Sequence, residues 1–436
     1  MYSQIYDVVL IFMGKKWSDQ RAAKVIIERI AKIKISLPSR TNFRTGFKGY
    51  ESTFEAGFDS LVTLLNGLVN YDSRVPEEQR GIILSKAIFE SADKARIIAA
   101  AVEKEITKFE SEYLSLPLQD YELITGLSIV GINNRKIKTD NASIIITKHF
   151  PKKIKSHYDF SAVKRLYPRL NDNSYSWVLV SVKARCEHAA ATQALNELDY
   201  VRGIFNLYSC YRSSRMSFSL PAPINKICRY PYHSLHSPSG HRTSDYYWFD
   251  NNYSDRVSAF DVSSKFDDIK KFYIHTSKQI MATNQKTYFK GILSMFCNAL
   301  DNSDMNNSFM SLWALLESLT RTKEKTYDVT IRRLLFNFKD KELMNIKLEE
   351  FRKRRNQAVH TNREVNDAEY CAHELMNIAT EYILFCINAY QKVSSHEEFA
   401  AVIDCPTDKV RLYKEITTKQ QELSHLETVE KLIHVN

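Results

Sequence analysis

The stretch Phe309-Met-Ser-Leu-Trp-Ala-Leu-Leu-Glu-Ser-Leu319 sets Phe309, Trp313 and Leu316 at intervals of four and three residues. That is the spacing of one helix face, because successive residues turn by about 100°. The stretch sits in a tract with unusual punctuation. All eleven glycines of the 436-residue chain lie at or before Gly291, and nine of the ten prolines at or before Pro238. From Ser294 onward the only such breaker is Pro406. Sandwiches and barrels need many tight turns, which Gly and Pro supply. The tract therefore reads as helical, with helices expected over 266–300, 305–322, 328–338, 341–360, 366–393 and 407–432. Asn366 followed by Glu369 resembles a capping box. Five or six helices with short connections make a bundle.

Upstream the character changes. Residues 1–115 read as mostly helical, with Ala22, Val25, Ile26, Ile30 and Ile33 patterning one stretch and Pro76 opening a second long stretch to about Tyr113. Residues 121–132 and 142–150 are β-branched runs around the turn signal Gly131-Ile-Asn-Asn, and 177–182 is a further strand. Residues 187–207 read as a helix. Pro221, Pro223, Pro231, Pro238 and Gly240 mark a loop-rich connector. The expected class is α+β: a mixed N-terminal α/β region, then an all-α helical bundle. The expected segments are 1–115 (helical), 116–225 (mixed and basic), 226–262 (connector) and 263–436 (bundle).

A chain with 44% hydrophobic and 26% charged residues has ordinary globular composition. No run approaches the roughly 18 apolar residues of a membrane span. The apolar patch at 8–13 lacks a basic region before it and a small-residue cleavage site after it, so it reads as a buried element rather than a signal peptide. Seven scattered cysteines without a paired CxxC suit reduced thiols in the cytoplasm. The net charge of +10 is uneven: 42 basic against 29 acidic residues up to position 300, and 19 against 22 after it. Residues 131–170 alone carry ten Lys and Arg against Asp140 and Asp159, interleaved with Phe150, Tyr158, Phe160 and Tyr167. That mixture suits RNA, and it equally suits a solvated basic face. Cys228, His233, His236 and His241 fall within fourteen residues, a spacing zinc could use. Plain loop residues are the simpler reading, and no metal is expected. There is no Walker or dinucleotide glycine motif.

The run Phe351-Arg-Lys-Arg-Arg-Asn-Gln-Ala-Val-His360 carries the chemistry. On a helix, Met344, Leu348, Phe351 and Ala358 share a stripe about 80° wide, with Arg355 near its middle. Arg352 and Arg354 flank the stripe, and Lys353 points away. An arginine in a packing position needs an anion or an acceptor. His360 lies about 140° from Arg355 on a continuous helix. Its imidazole can approach Arg355, or a second copy's, only where the helix ends, which Thr361-Asn362 suggests.

Arg355, Asn356, three further residues and His360 match the motif of the HEPN superfamily: arginine, a polar residue, three residues, histidine. The 309–319 helix resembles the first core helix of the ApeA-like HEPN branch, and 366–393 also fits. The resemblance covers about residues 265–395. It implies a metal-independent endoribonuclease without cofactor, used as a toxin or an anti-phage abortive-infection effector. It also implies a homodimer through the bundle, the two motifs meeting at the interface. The N-terminal region would sense or restrain, with a phage-derived trigger. No membrane is involved.

The side chains suit that chemistry. RNA supplies its own nucleophile, the 2′-OH. His360 would do acid–base work, Arg355 would clamp the phosphate, and Asn356 would orient the imidazole or bind a phosphate oxygen. Glu317 would support the arginine or the dimer cleft. Arg352, Arg354, Lys152, Lys153 and Lys155 are candidate RNA contacts. The products would be a 2′,3′-cyclic phosphate and a 5′-hydroxyl. The alternative is a non-catalytic HEPN module for nucleic-acid binding or dimerisation.

Overall fold

Fifteen helices, a six-stranded sheet and a two-stranded sheet make up the described residues, so the chain is α+β with helices concentrated in its C-terminal half. The computed structural model describes residues 16–32, 58–94, 97–132, 134–211, 223–250, 252–255, 257–322, 327–361, 365 and 367–433, without the side chains of 211, 327, 360 and 361. The patch at 8–13 and the cap residue Asn366 lie outside the described residues. Two compact units emerge: Met1–Tyr121 with Val182–Gln193, and Glu122–Ser181 with Ala194–Asn436.

The first unit holds α1 (Gln20–Ile30), α2 (Phe58–Asn66), α3 (Glu77–Asp93) and α4 (Ala99–Ser115). Asp19 caps α1 by accepting the Ala22 N–H at 2.9 Å. Ala23, Ile27 and Ile30 of α1 share one core with Leu84 and Ile88 of α3 and Val102 and Ile106 of α4. The helical stretch expected from Pro76 to about Tyr113 is thus made of two helices, α3 and α4, whose apolar stripes reach the same core, which one straight rod could not do.

In the second unit, β1 (Gln119–Leu127), β3 (Arg135–Lys138), β4 (Ala142–Thr147), β5 (Ser176–Ala184), β6 (Tyr232–His236) and β7 (Trp248–Phe249) form a sheet in the order β3-β4-β5-β1-β6-β7. The pairs β3–β4, β1–β6 and β6–β7 are antiparallel. A small parallel sheet joins β2 (Ile129–Val130) to β8 (Phe260–Asp261). Beyond it Gly131 takes φ +86°, and an added Cβ there would lie 2.7 Å from the Ser263 nitrogen. The segment 226–262, expected as a connector, thus supplies three strands. Its prolines flank strands rather than separating domains.

The long helix α7 (Glu187–Tyr211) follows the short α5 (Lys152–Lys155) and α6 (Phe160–Leu166). After it come α8 (Phe266–Ala282), α9 (Lys286–Asp301), α10 (Met305–Leu319), α11 (Tyr327–Leu335), α12 (Lys341–Thr361), α13 (Ala368–Ala389), α14 (His396–Asp404) and α15 (Lys409–Ile433). The stretch expected as one helix over 266–300 breaks at Thr283, and α14 is an additional helix. The second part of α7 packs into the bundle. Gly203 lies so close to α9 that a Cβ would sit 2.8 Å from Leu293 Cβ, while Phe205 and Tyr208 meet Tyr273 and Phe272 of α8. Shared packing of this kind explains why the mixed region from Glu122 onward and the bundle form one unit. Leu312, Leu315 and Leu316 of α10 and Leu375, Ile378 and Ala379 of α13 are buried at the bundle's centre. Among the described residues no helix is long and apolar enough to cross a membrane.

Candidate active site

Asp340 starts α12, its carboxylate accepting the Leu343 N–H at 3.0 Å. Leu348 and Phe351 are buried, and the Phe351 ring stands edge-on to Phe309 of α10 with centroids 6.2 Å apart. Met344, Arg355 and Ala358 are half-buried on the same face, whereas Lys353 is exposed. The stripe expected from sequence therefore exists, and Arg355 occupies it one turn beyond Phe351. The helix is described as far as Thr361, and the side chain of His360 lies outside the described residues. Helix α13 is preceded by Asp367, which takes left-handed geometry (φ 56°) and makes no side-chain cap bond.

The three arginines of the run differ in their surroundings. Arg352 is paired with Asp328 of α11 and lies 2.6 Å from Glu349. Arg354 donates to Glu350 at 3.1 Å and to the Cys371 thiol at 3.5 Å, and lies 3.7 Å from Asp367. Both flanking guanidiniums thus meet two carboxylates each, which offsets their charge toward a polyanion. Arg355 donates through Nη1 to the Asn356 side-chain oxygen at 3.4 Å. The two motif residues are thereby brought together on the last turns of the helix. Glu317 is half-buried on α10, and its carboxylate accepts the Trp313 indole N–H at 2.8 Å, one turn back on the same helix.

The basic segment also resolves into distinct parts. Lys152 and Lys155 are exposed on α5 while Ile154 between them is buried. Lys153 lies 2.5 Å from Glu122 and donates to the Pro238 carbonyl at 3.1 Å, so it ties α5 to β1 rather than facing solvent alone. The interleaved aromatics largely turn inward. Phe150 and Tyr158 pack on Trp177 with centroids 4.7 and 6.2 Å apart, and Tyr167 packs on Tyr253. Phe160 is 38% exposed. Their spacing reflects a hydrophobic core under a basic skin, not a row of stacking platforms.

Among the described residues no three His, Cys, Asp or Glu converge as a metal site. His233 and His236 are three apart on β6 and so point to opposite faces. His233 shares a hydrogen bond with Thr125 at 2.7 Å, and burial pushes its pKa down to about 3. His236 bonds Ser234 and the Gly240 carbonyl, and burial pushes it down to about 4. Both are neutral packing residues at neutral pH.

Two buried ionic assemblies escape a reading by motif. Arg202 has no exposure, with Nε 3.0 Å from Asp199 and its terminal nitrogens 2.9 and 2.7 Å from Asp301. Arg229 continues the chain to Asp199 at 3.2 Å and Asp250 at 2.9 Å. Three carboxylates thus face two guanidiniums, and burial holds the Asp301 carboxyl above its usual range against the pull of Arg202. The signal was an Asp-x-x-Arg pair inside the apolar helix α7. Arg333, 2% exposed, forks onto Asp404 at 2.9 and 2.6 Å and donates to the Thr320 and Arg321 carbonyls. It supports the C-terminus of α10 as a cation should. Its partner lies 71 positions along the chain, which no local pattern discloses. Comparison with models of known protein families, with curated proteins and with solved structures found no match to this chain.

Proposed function

We propose that this chain is a HEPN-type endoribonuclease that needs no metal, acting as a homodimer in an anti-phage or toxin role, with Arg355, Asn356 and His360 at its active centre. The observation that carries the reading is the placement of Arg355. It shares the packing face of α12 with Leu348 and Phe351 and is bonded to Asn356. A half-buried arginine near the end of a rigid helix is suited to holding a phosphate in fixed geometry. The histidine five residues on supplies an imidazole, the side chain suited to acid–base work.

In the reaction, an imidazole removes the 2′-OH proton, the 2′-oxygen attacks phosphorus, and the 5′-oxygen leaves with a proton from a second imidazole or water. Arg355 holds the phosphorane oxygens. Purified protein and cells producing it should both yield RNA ends bearing 2′,3′-cyclic phosphate. Arg355→Ala and His360→Ala should each lower cleavage by roughly 10²–10⁴-fold, while Lys353→Ala, at an exposed position, should not. Equal activity in all four proteins, or no cyclic-phosphate ends in phage-challenged cells, would overturn the reading. Salt-sensitive RNA binding without cleavage would favour the non-catalytic alternative.

A further inference from the structure

The last described helix, α15, exposes every residue from Lys409 to Ile433 except half-buried Leu412. It is nevertheless far from polar: Tyr413 is 68% exposed, Leu423 57%, Leu426 67% and Ile433 66%. A contiguous exposed apolar patch marks an interaction surface. The spacing says what kind. Leu412, Ile416, Leu423, Leu426 and Ile433 follow one another at intervals of four, seven, three and seven. At 3.6 residues per turn they drift around the helix, whereas at 3.5 they line up in one seam. Ile416, Leu423 and Glu430 then hold one heptad core position, and Leu412, Lys419, Leu426 and Ile433 the other.

The two charged core residues select the occupant and its direction. A parallel, in-register pair with a second copy would set Lys419 against Lys419 and Glu430 against Glu430, with Glu422 beside Glu427. All three are like-charge contacts. An antiparallel pair centred between Ser424 and His425 sets Lys419 of each copy against Glu430 of the other. The same register sets Ile416 against Ile433 and Leu423 against Leu426. Glu422 then flanks Val429, and Gln420 flanks Glu427, so no like charges meet. One register thus pairs apolar with apolar and cation with anion, and it is symmetric about a two-fold axis.

We propose that α15 is a dimerisation helix whose partner is α15 of a second copy, paired antiparallel in this register. The seam from Ile416 to Ile433 spans about 26 Å. In the single chain Lys419 lies 2.8 Å from Glu422 on the same exposed face, a contact weak enough to be exchanged for Glu430 of the second copy. This pairing is independent of the ribonuclease reading.

Sedimentation of the full chain across a concentration series tests it, comparing the wild type with Lys419→Glu, Glu430→Lys and the double exchange. Each single reversal should raise the dimer dissociation constant by roughly tenfold or more, since it sets like charges together twice. The double exchange should bring it back to within a few-fold of the wild type. Circular dichroism should be unchanged in all, because both positions are exposed. A wild type that stays monomeric overturns the proposal. So does a dimer indifferent to the single reversals, which would be held by another surface, and so does a double exchange that remains as weak as the singles.

Discussion

Replacing Arg202 by Met keeps most of the side chain's volume and removes its guanidinium. The consequence can be worked from the buried network. Asp301, 3% exposed, would lose both charged contacts at 2.9 and 2.7 Å and keep the Asn225 amide, which donates at 2.6 Å. Asp199 would lose its 3.0 Å partner and keep Arg229 at 3.2 Å. Three buried carboxylates would then face a single arginine. Breaking a buried pair by removing one member costs about 3–5 kcal/mol. For a unit of this size that lowers the unfolding temperature by on the order of 10 °C. The exposed pair of Arg169 with Asp255 at 3.4 Å provides the control, and Arg169→Met should cost under about 0.5 kcal/mol. The pH dependence carries a sign. A carboxyl whose pKa is raised by folding favours the folded state at low pH and loses that contribution as pH rises through the folded pKa. Burial already raises Asp301, and Arg202 opposes the rise, so its removal raises Asp301 further. The deficit of the variant should therefore be largest near pH 7.5 and shrink toward pH 5. Urea unfolding at the two pH values measures both. A deficit under about 1 kcal/mol at pH 7.5, or one that grows on acidification, refutes the reasoning.

Asp404→Asn should destabilise the bundle by about 1.5–3 kcal/mol near neutrality, because Arg333 would keep only its carbonyl and amide acceptors. Hydrogen bonding to Arg333 holds the Asp404 carboxyl at about 2, below its ordinary range, so the wild type keeps this contribution above that range and loses it as pH falls. The two proteins should converge in unfolding experiments between pH 4 and pH 2. Gly131→Ala should cost about 1–3 kcal/mol, since φ is +86° and the new methyl would meet Ser263 and Asp261. Thermal unfolding within a degree of the wild type would show that the turn yields.

How much was legible from sequence depends on how local the cause is. The helices from 305 to 393 could be read because apolar spacing and the lack of glycine act within a few residues. The stripe Leu348, Phe351, Arg355 could be read for the same reason. The division of the stretch from Pro76 to Tyr113 into α3 and α4, and the break at Thr283, were not legible. In the first case two apolar stripes share one core, a requirement set by distant residues. The basic, aromatic segment at 131–170 was half legible. Its charge belonged to the sequence, but which rings face inward depended on Trp177 and Tyr232 arriving from other strands.

The sequence by itself determined the class of the fold, the helical tract and the face on which Arg355 lies. Each follows from the fixed geometry of a single helix or strand. Only the tertiary structure decided which charges are spent on other charges. Arg352 on Asp328, Arg333 on Asp404, Lys153 on Glu122 and Arg202 on Asp301 are pairs made across 24 to 99 positions of chain. An ion pair depends on where the backbone brings two groups and how much water is left between them, and neither quantity is written in the neighbouring residues.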